Sequence, residues 1–452
     1  MFMGGALKVE ISTVGQRARK RIALRLLPFL FLMYVVCYID RVNVSLANLR
    51  MSADLGFSDR MYGLGVGAFA VGYLLFEIPG AIVVECWSAR RWLARIMVTW
   101  GLFTILTAFV HTTRQFYAAR FLVGVAEASF FPGVIVYLTH WFRASDRAKA
   151  VAAFYTGVPT ASITSSLLAS WILGIHWLNF PGWRWLFIIE GIPPIALGII
   201  VPWFLTDRPD EAEWLPGSER EWITSELAAE AIVKKRTENY TIWQAFLDRR
   251  TVVLILVWFL VMCGAQGSMF FLPMFIRRLS GLPNSTVALL VAIPSMAAMT
   301  GMLLNGWHAD KTAERRWHTI IPLTCAAIAY LLLASVMHQF VVVMVLLTLS
   351  AGLLYSCHPV LWSMPTLVLS GTAAAASFGL INSLGQLGGL AGPYTVGYFN
   401  DRTGTLASAF GFIGMCYLIA GILVSFVRIN GRASPAEPES SEEVLTLASG
   451  RS

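Results

Sequence analysis

Leu26-Leu-Pro-Phe-Leu-Phe-Leu-Met-Tyr-Val-Val-Cys-Tyr-Ile-Asp-Arg-Val-Asn-Val-Ser-Leu-Ala47 is an apolar run with two opposite charges, Asp40 and Arg41, inside it. Its apolar residues go all the way round a helix, and ~20 such residues suffice to cross a bilayer. A charge at the bilayer centre costs ~2.5–3.5 kcal/mol even on the lenient insertion scale. A second apolar run carries Arg120-Phe-Leu-Val-Gly-Val-Ala-Glu127, so the two runs together hold two acids and two guanidiniums. Unpaired, the four would cost roughly 10 kcal/mol. Such groups persist when they neutralise one another or handle an ion.

Working outward, apolar runs recur at about 24–47, 61–84, 92–110, 117–140, 150–174, 185–205, 251–276, 286–307, 318–337, 340–362, 373–398 and 406–428. The 452 residues are 57% hydrophobic and 13% charged, outside soluble usage, and read as a polytopic membrane protein. Most of the 34 Lys and Arg residues fall on the amino-terminal side of these spans, which predicts both termini in the cytoplasm of a plasma (inner) membrane. The net charge of +8 is therefore topogenic, and no nucleic-acid partner is expected. The six cysteines lie within or at the ends of spans without a CxxC pair, so no disulfide framework or metal site is expected. The basic stretch before the first span resembles a signal peptide, but the apolar run continues into Asp40-Arg41 with no small-residue cleavage site. It reads as a retained helix.

The expected organisation is a cytoplasmic segment 1–23, a six-helix bundle 24–205, a cytoplasmic linker 206–250, a second six-helix bundle 251–428, and a disordered tail 429–452. Within the linker, Ser218-Glu-Arg-Glu221 has capping-box spacing, with Lys234-Lys-Arg236 late, which predicts an amphipathic helix over roughly 219–236. The halves echo each other. After span 2 the chain places Glu85 before Arg90 and Arg91; after span 8 it places Asp310 before Arg315 and Arg316. An acid before an arginine pair at a helix end can form ion pairs that hold one conformation, and two copies argue for an internal repeat. One such loop alone would be ordinary positive-inside charge.

Spacing then groups the intramembrane residues. Arg120 and Glu127 lie two turns apart on nearly one helix face. Tyr34, Tyr38 and Arg41 share a face of span 1, whereas Asp40, about 100° round from Arg41, must look toward another helix. A guanidinium can bind a carboxylate bidentately, and buried carboxyls can exchange protons. The combination suggests a proton-linked organic-anion transporter: Arg41 as anion anchor, Asp40 and Glu127 as proton carriers, Arg120 holding Glu127 ionised. The bland alternative, an ion-pair network that sets helix packing, applies most to Arg120. Glu77 and Glu190 read as structural locks. The glycine-rich stretch 385–392 has no strand before it and reads as a helix-packing face, and His308 and His318 have no ligand cluster around them.

Several segments carry a family resemblance: Tyr38-Ile-Asp-Arg41-Val-Asn43, Phe76-Glu-Ile-Pro79, Arg90-Arg-Trp-Leu-Ala-Arg95, Arg120–Ala128, Gly182–Gly191, Asp310–His318, Asn382–Pro393 and Gly397–Asp401. Across about residues 20–430 the chain resembles the major facilitator superfamily, and within it the anion:cation symporters of the tartrate, phthalate and hydroxyphenylacetate type. The resemblance implies an all-α membrane protein of twelve transmembrane helices in two pseudo-symmetric bundles, not an enzyme. It implies symport of a small organic carboxylate with protons, driven by the proton gradient without a cofactor, by a carrier expected to be monomeric among membrane lipid. It supports the roles given to Asp40, Arg41, Arg120 and Glu127, and places Tyr38, Tyr73, Trp362 and Asn382 around the cavity. Gln266 is a further candidate from span 7. Cys86 and Ser88 stand where the family usually has Arg and Gly, and span 5 has Ser where relatives often have Gly. A proton-driven exporter of drugs or aromatic acids on the same fold, and a non-transporting membrane sensor, are the alternatives.

Overall fold

The computed structural model describes residues 3–236, 248–312, 314–368 and 379–427. The expected disordered tail and part of the linker lie outside the described residues. The chain opens with α1 (Met3–Leu55), α2 (Asp59–Cys86), α3 (Ala89–Thr107), α4 (Thr113–Glu127), α5 (Phe130–Trp141), α6 (Ala144–Tyr155), α7 (Gly157–Ile172) and α8 (Gly182–Phe204). After a short 3-10 turn comes α9 (Gly217–Arg236), then α10 (Arg249–Ser280), α11 (Asn284–Thr312), α12 (Trp317–Leu333), α13 (Phe340–Val368), α14 (Gly388–Thr403) and α15 (Ala407–Ser425). Among the described residues eight helical segments are long and apolar enough to cross a membrane. In hydrocarbon every backbone N–H and C=O must be satisfied within the segment, so runs of this composition fold as helices. Large apolar side chains such as Leu75, Trp171, Trp203 and Leu304 point outward and form the lipid-facing surface.

Helix ends are set by side chains. The Ser58 and Ser88 hydroxyls accept from the N–H of Met61 and Arg91 and start α2 and α3. Thr112 and Gln115 form a capping box at α4. Gly281 and Gly404, at φ +68° and +66°, close α10 and α14 in the left-handed region.

Three predicted spans are interrupted. The fourth breaks between α4 and α5, directly after Glu127, where Ser129 takes φ +68°. Pro132 stands four residues after Ala128 and cannot donate to its carbonyl, so a continuous helix would lose a bond and clash. Pro159 has the same relation to Tyr155 at the break between α6 and α7. Near residue 386 a turn separates helical residues 379–385 from α14. α1 exceeds its predicted span: 53 residues make roughly 80 Å, so its amino-terminal turns project beyond ~30 Å of hydrocarbon.

The side where α1 begins is here called the amino-terminal face. There α9 lies against the first half through Arg143–Glu226 (2.8 Å), Arg147–Glu230 (3.1 Å) and Arg21–Glu219 (3.0 Å). It starts at Gly217, so Ser218 lies inside its first turn rather than capping it. Close backbone approach fixes the neighbours of α2. A Cβ on Gly72 would fall 2.4 Å from the Phe121 carbonyl oxygen, and one on Gly124 2.2 Å from that of Phe69. These two glycines let α4 lie directly on α2.

Candidate functional site

Arg41 is the centre of a buried polar cluster between α1, α2 and α4. Its Nη2 lies 2.5 Å from Glu127 Oε1, and its Nε donates to the same oxygen at 2.7 Å. The rings of Tyr38 (4.9 Å), Tyr73 (5.1 Å) and Phe69 (5.3 Å) surround the guanidinium, within cation–π range. Glu127 is fully buried; Cys37 Sγ donates to its Oε1 at 3.2 Å, and its Oε2 has no partner. Tyr73 and Phe69 come from one face of α2, four residues apart, as Cys37 and Arg41 do on α1.

Asp40 does turn away from Arg41. Asn43 Nδ2 donates to its Oδ1 at 3.1 Å, Oδ2 has no partner, and Arg120 of α4 is the cation facing it. Arg120 is 1% exposed, lies 5.1 Å from the Phe69 ring, and has no hydrogen-bond partner at Nε or Nη2. The structure therefore pairs Glu127 with Arg41, where the sequence had suggested Arg120. The physical reason is the helix end. Glu127 is the last residue of α4 and Arg120 lies seven residues, about 10 Å, further along it, opposite Asp40. Burying a charge beside an opposite one offsets part of its desolvation, which is large for each ion alone.

Behind this cluster, Glu190 of α8 is 3% exposed; Ser165 Oγ donates to its Oε1 at 3.3 Å. Glu77, read from the sequence as a structural lock, reaches across to the second half, where Asn382 Nδ2 donates to its Oε1 at 2.9 Å.

A central cavity meets the cluster at Tyr38 and runs between the halves. Its wall is mainly apolar, with hydroxyls from Ser45, Ser162, Ser268, Ser295, Tyr330 and Ser350 set into it. Ser162 and Ser295 bond to each other across the interface at 2.7 Å. Of the other candidates, Trp362 meets Trp258 edge-on at 4.7 Å and faces Tyr155 of the first half. Gln266 lies beside Gly389 rather than on the cavity wall, which α10 builds from Ala265, Ser268, Met269 and Leu272.

The two repeated loops make their ionic contacts within their own halves. Arg90 pairs with Asp207 at 3.3 Å and donates to it through its backbone N–H at 2.9 Å, while Ser88 Oγ donates to the same carboxylate at 2.7 Å. The N–H of Arg91 donates to Ser88 Oγ. Arg315 pairs with Asp310 at 2.6 Å, and Arg316 donates to the Ser425 carbonyl. Glu85 lies in the last turns of α2; its side chain falls outside the described set. Cys37, Phe69 and Asn43 were not singled out from sequence. Each is an ordinary residue of a membrane helix, and only its i, i+3 or i, i+4 relation to Asp40, Arg41 or Tyr73 could have marked it.

Residues 30–393 match the sequence family described as Major Facilitator Superfamily. A protein of Agrobacterium vitis named for tartrate transport is 40% identical, over 96% of this chain and 99% of its own. The Quinolone resistance transporter of Acinetobacter baumannii is 33% identical, over 90% and 94%. Among solved structures, the crystal structure of a D-xylose–proton symporter superposes with a TM-score of 0.73 at 14% identity, covering 90% of this chain and 98% of that one. At that identity the likeness concerns the fold.

Proposed function

The chain belongs to the Major Facilitator Superfamily, and on that premise we propose that this secondary transporter moves a small organic carboxylate together with protons by alternating access. It is a multi-pass integral membrane protein and not an enzyme. In this reading twelve spans form two six-helix bundles joined by the linker that carries α9, both termini are cytoplasmic, and the carrier works as a monomer in the plasma (inner) membrane.

One observation carries the chemistry: Arg41 sits in an aromatic collar, and the anion it holds is the carboxylate of Glu127, 2.5 Å away. A proton on Glu127 removes that anion. The planar guanidinium is then left with bidentate donors and no partner, and a substrate carboxylate entering past Tyr38 takes the place. Proton and substrate thus bind together because each alone leaves a buried charge uncompensated. Asp40, beside Arg120, is the second proton-handling carboxyl. Tyr38 and Tyr73 shape the anion site, the cavity hydroxyls take the rest of the substrate, and the two repeated loops set the gating of the amino-terminal face. One proton per monoanion makes transport electroneutral; each extra proton couples to voltage at ~2.3 kcal/mol per 100 mV.

The reading is tested in proteoliposomes. Glu127→Gln abolishes pH-driven uptake and retains substrate exchange, whereas Arg41→Ala abolishes both. Intact pumping by the Arg41 variant would overturn the binding role. The relative named for quinolone resistance favours a second reading, a proton-driven exporter. Direction decides it: an inward proton gradient fills oriented vesicles with substrate in the first reading and empties them in the second.

A further inference from the structure

Glu77 occupies an unusual place for a buried carboxyl. It is 4% exposed, one turn beyond Tyr73 on the same face of α2, and Arg41 is the cation that faces it. Its Oε1 accepts from Asn382 Nδ2 at 2.9 Å, across the boundary between the halves, with the hydroxyl of Ser383 as a second group facing the carboxyl, while its Oε2 is buried with no close hydrogen-bond partner. A residue that only fastens two helices is expected to have both oxygens satisfied, because an unpaired buried acceptor is costly. A contact between the halves also cannot survive unchanged if α2 and the helical residues 379–385 move apart during transport.

We propose that Glu77 stands in for the substrate carboxylate in the empty carrier: it holds the amide of Asn382 across the interface until a bound carboxylate takes that amide away. This deepens the carboxylate reading above and rests on it. Arg41 needs an anion at every stage of the cycle. Glu127 supplies it when ionised and the substrate supplies it when bound. When Glu127 is protonated and the site has emptied, Glu77 is the carboxyl left in the field of Arg41. Its bond to Asn382 closes the halves toward the amino-terminal face, since Glu77 lies in the half of α2 that ends there. Loaded and empty carriers would thus use the same amide to close, and Glu77 acts as a positioning residue rather than a proton carrier.

The test uses the full chain in proteoliposomes with tartrate and phthalate as probes, comparing the original with Glu77→Gln and Glu77→Ala. Removing the competing carboxylate lowers the KM for exchange several-fold in Glu77→Ala, because Asn382 is free for the substrate, and by less in Glu77→Gln, whose amide oxygen still accepts more weakly from Asn382. Net uptake falls several-fold, because the empty carrier returns slowly, and the pH profile keeps its shape because Glu127 is intact. A raised or unchanged KM, or a displaced pH profile, would overturn the proposal. A substrate-free readout accompanies it: the distance between spin labels at Trp87→Cys and Trp307→Cys, exposed positions near the amino-terminal-face ends of α2 and α11. Without substrate, both Glu77 variants shift this distance toward separation relative to the parent. Labels that separate while neither probe is transported would refute the carboxylate reading and keep the latch; normal transport with unmoved labels refutes the latch. Glu77→Gln preserves shape and volume, so it serves if the alanine variant fails to fold.

Discussion

A guanidinium inside a membrane protein must be given an anion, and the two intramembrane arginines obtain theirs differently. Arg41 has a direct ion pair with Glu127, whereas Arg120 lies in the field of Asp40 and, less strongly, of Glu127, over the face of Phe69. Removing one partner of a buried pair leaves an uncompensated charge and costs ~3–5 kcal/mol, while removing both is much milder. Arg120→Met should therefore lower thermal stability steeply, Asp40→Asn less so, and the double variant should recover part of the loss. A coupling energy of ~1 kcal/mol or more is expected from the unfolding midpoints of the cycle. Effects that add to within ~0.5 kcal/mol would show that the two do not interact. The charged residues themselves were legible in the sequence because an ion in an apolar run has no inexpensive explanation. Their pairing was not. Which of Arg41 and Arg120 meets Glu127 depends on the depth at which α4 slides along α1 and α2. That register is fixed by Gly72 and Gly124 pressing on backbone carbonyls, contacts that no local pattern announces.

At the scale of elements, span positions were readable because hydrocarbon leaves a helix as the one open-ended solution for an apolar run. The breaks were less so. Pro28, Pro79 and Pro294 sit inside continuous helices, while Pro132 and Pro159 follow interruptions, so proline alone does not say which helix will part. The break after Glu127 has a consequence: the carboxyl that pairs with Arg41 sits at a helix end rather than mid-helix. A second helix end makes a pH-dependent prediction. Glu314 accepts from the N–H of Trp317 at 2.8 Å and from that of His318 at 3.3 Å, capping α12 outside the membrane. Burial pushes its pKa up, but these N–H groups and the His318 ring outweigh burial and leave it below the ordinary carboxylate value. A depressed folded pKa stabilises the capped state above the unfolded value of about 4.3, and the effect fades as pH falls through the folded value. Hydrogen-exchange protection at Trp317 and His318 should therefore decline between about pH 5 and pH 3. Glu314→Gln should flatten that decline at a cost near 1 kcal/mol, typical of a lost cap. An identical decline in the variant would remove Glu314 as its cause.

For the whole molecule, the two faces are held differently. On the face opposite the amino terminus, contacts cross between the halves: Arg278 pairs with Asp59 at 2.8 Å, Asn284 Nδ2 donates to the Leu49 carbonyl, and the Tyr62 hydroxyl donates to that of Phe270. Asp401 adds a fourth, its two oxygens accepting from the N–H groups of Asp59 and Arg60 at 3.1 and 2.9 Å, at the start of α2. A carboxylate there satisfies N–H groups that a helix start leaves open and meets the positive end of its dipole. On the amino-terminal face the ion pairs named above stay inside each half, and the Glu77–Asn382 bond crosses between the halves deeper in the membrane, so the surface latches lie at the opposite face. If transport proceeds by alternating which face is closed, the Asp401 contact must break in each cycle, and its strength sets how often that face opens. Asp401→Asn keeps an acceptor but removes the charge that makes these bonds strong, a loss of ~1 kcal/mol. Since 1.4 kcal/mol is tenfold, the open population should rise about fivefold. With native cysteines replaced and Ser45→Cys as a reporter in the cavity, an impermeant thiol reagent added from the opposite face should label the Asp401 variant about fivefold faster. High salt should narrow the difference by screening the Asp401 charge, which only the original chain carries. Equal labelling rates would mean that the other three contacts hold this face shut without Asp401, and that the barrier to opening lies in the packed helices beneath them.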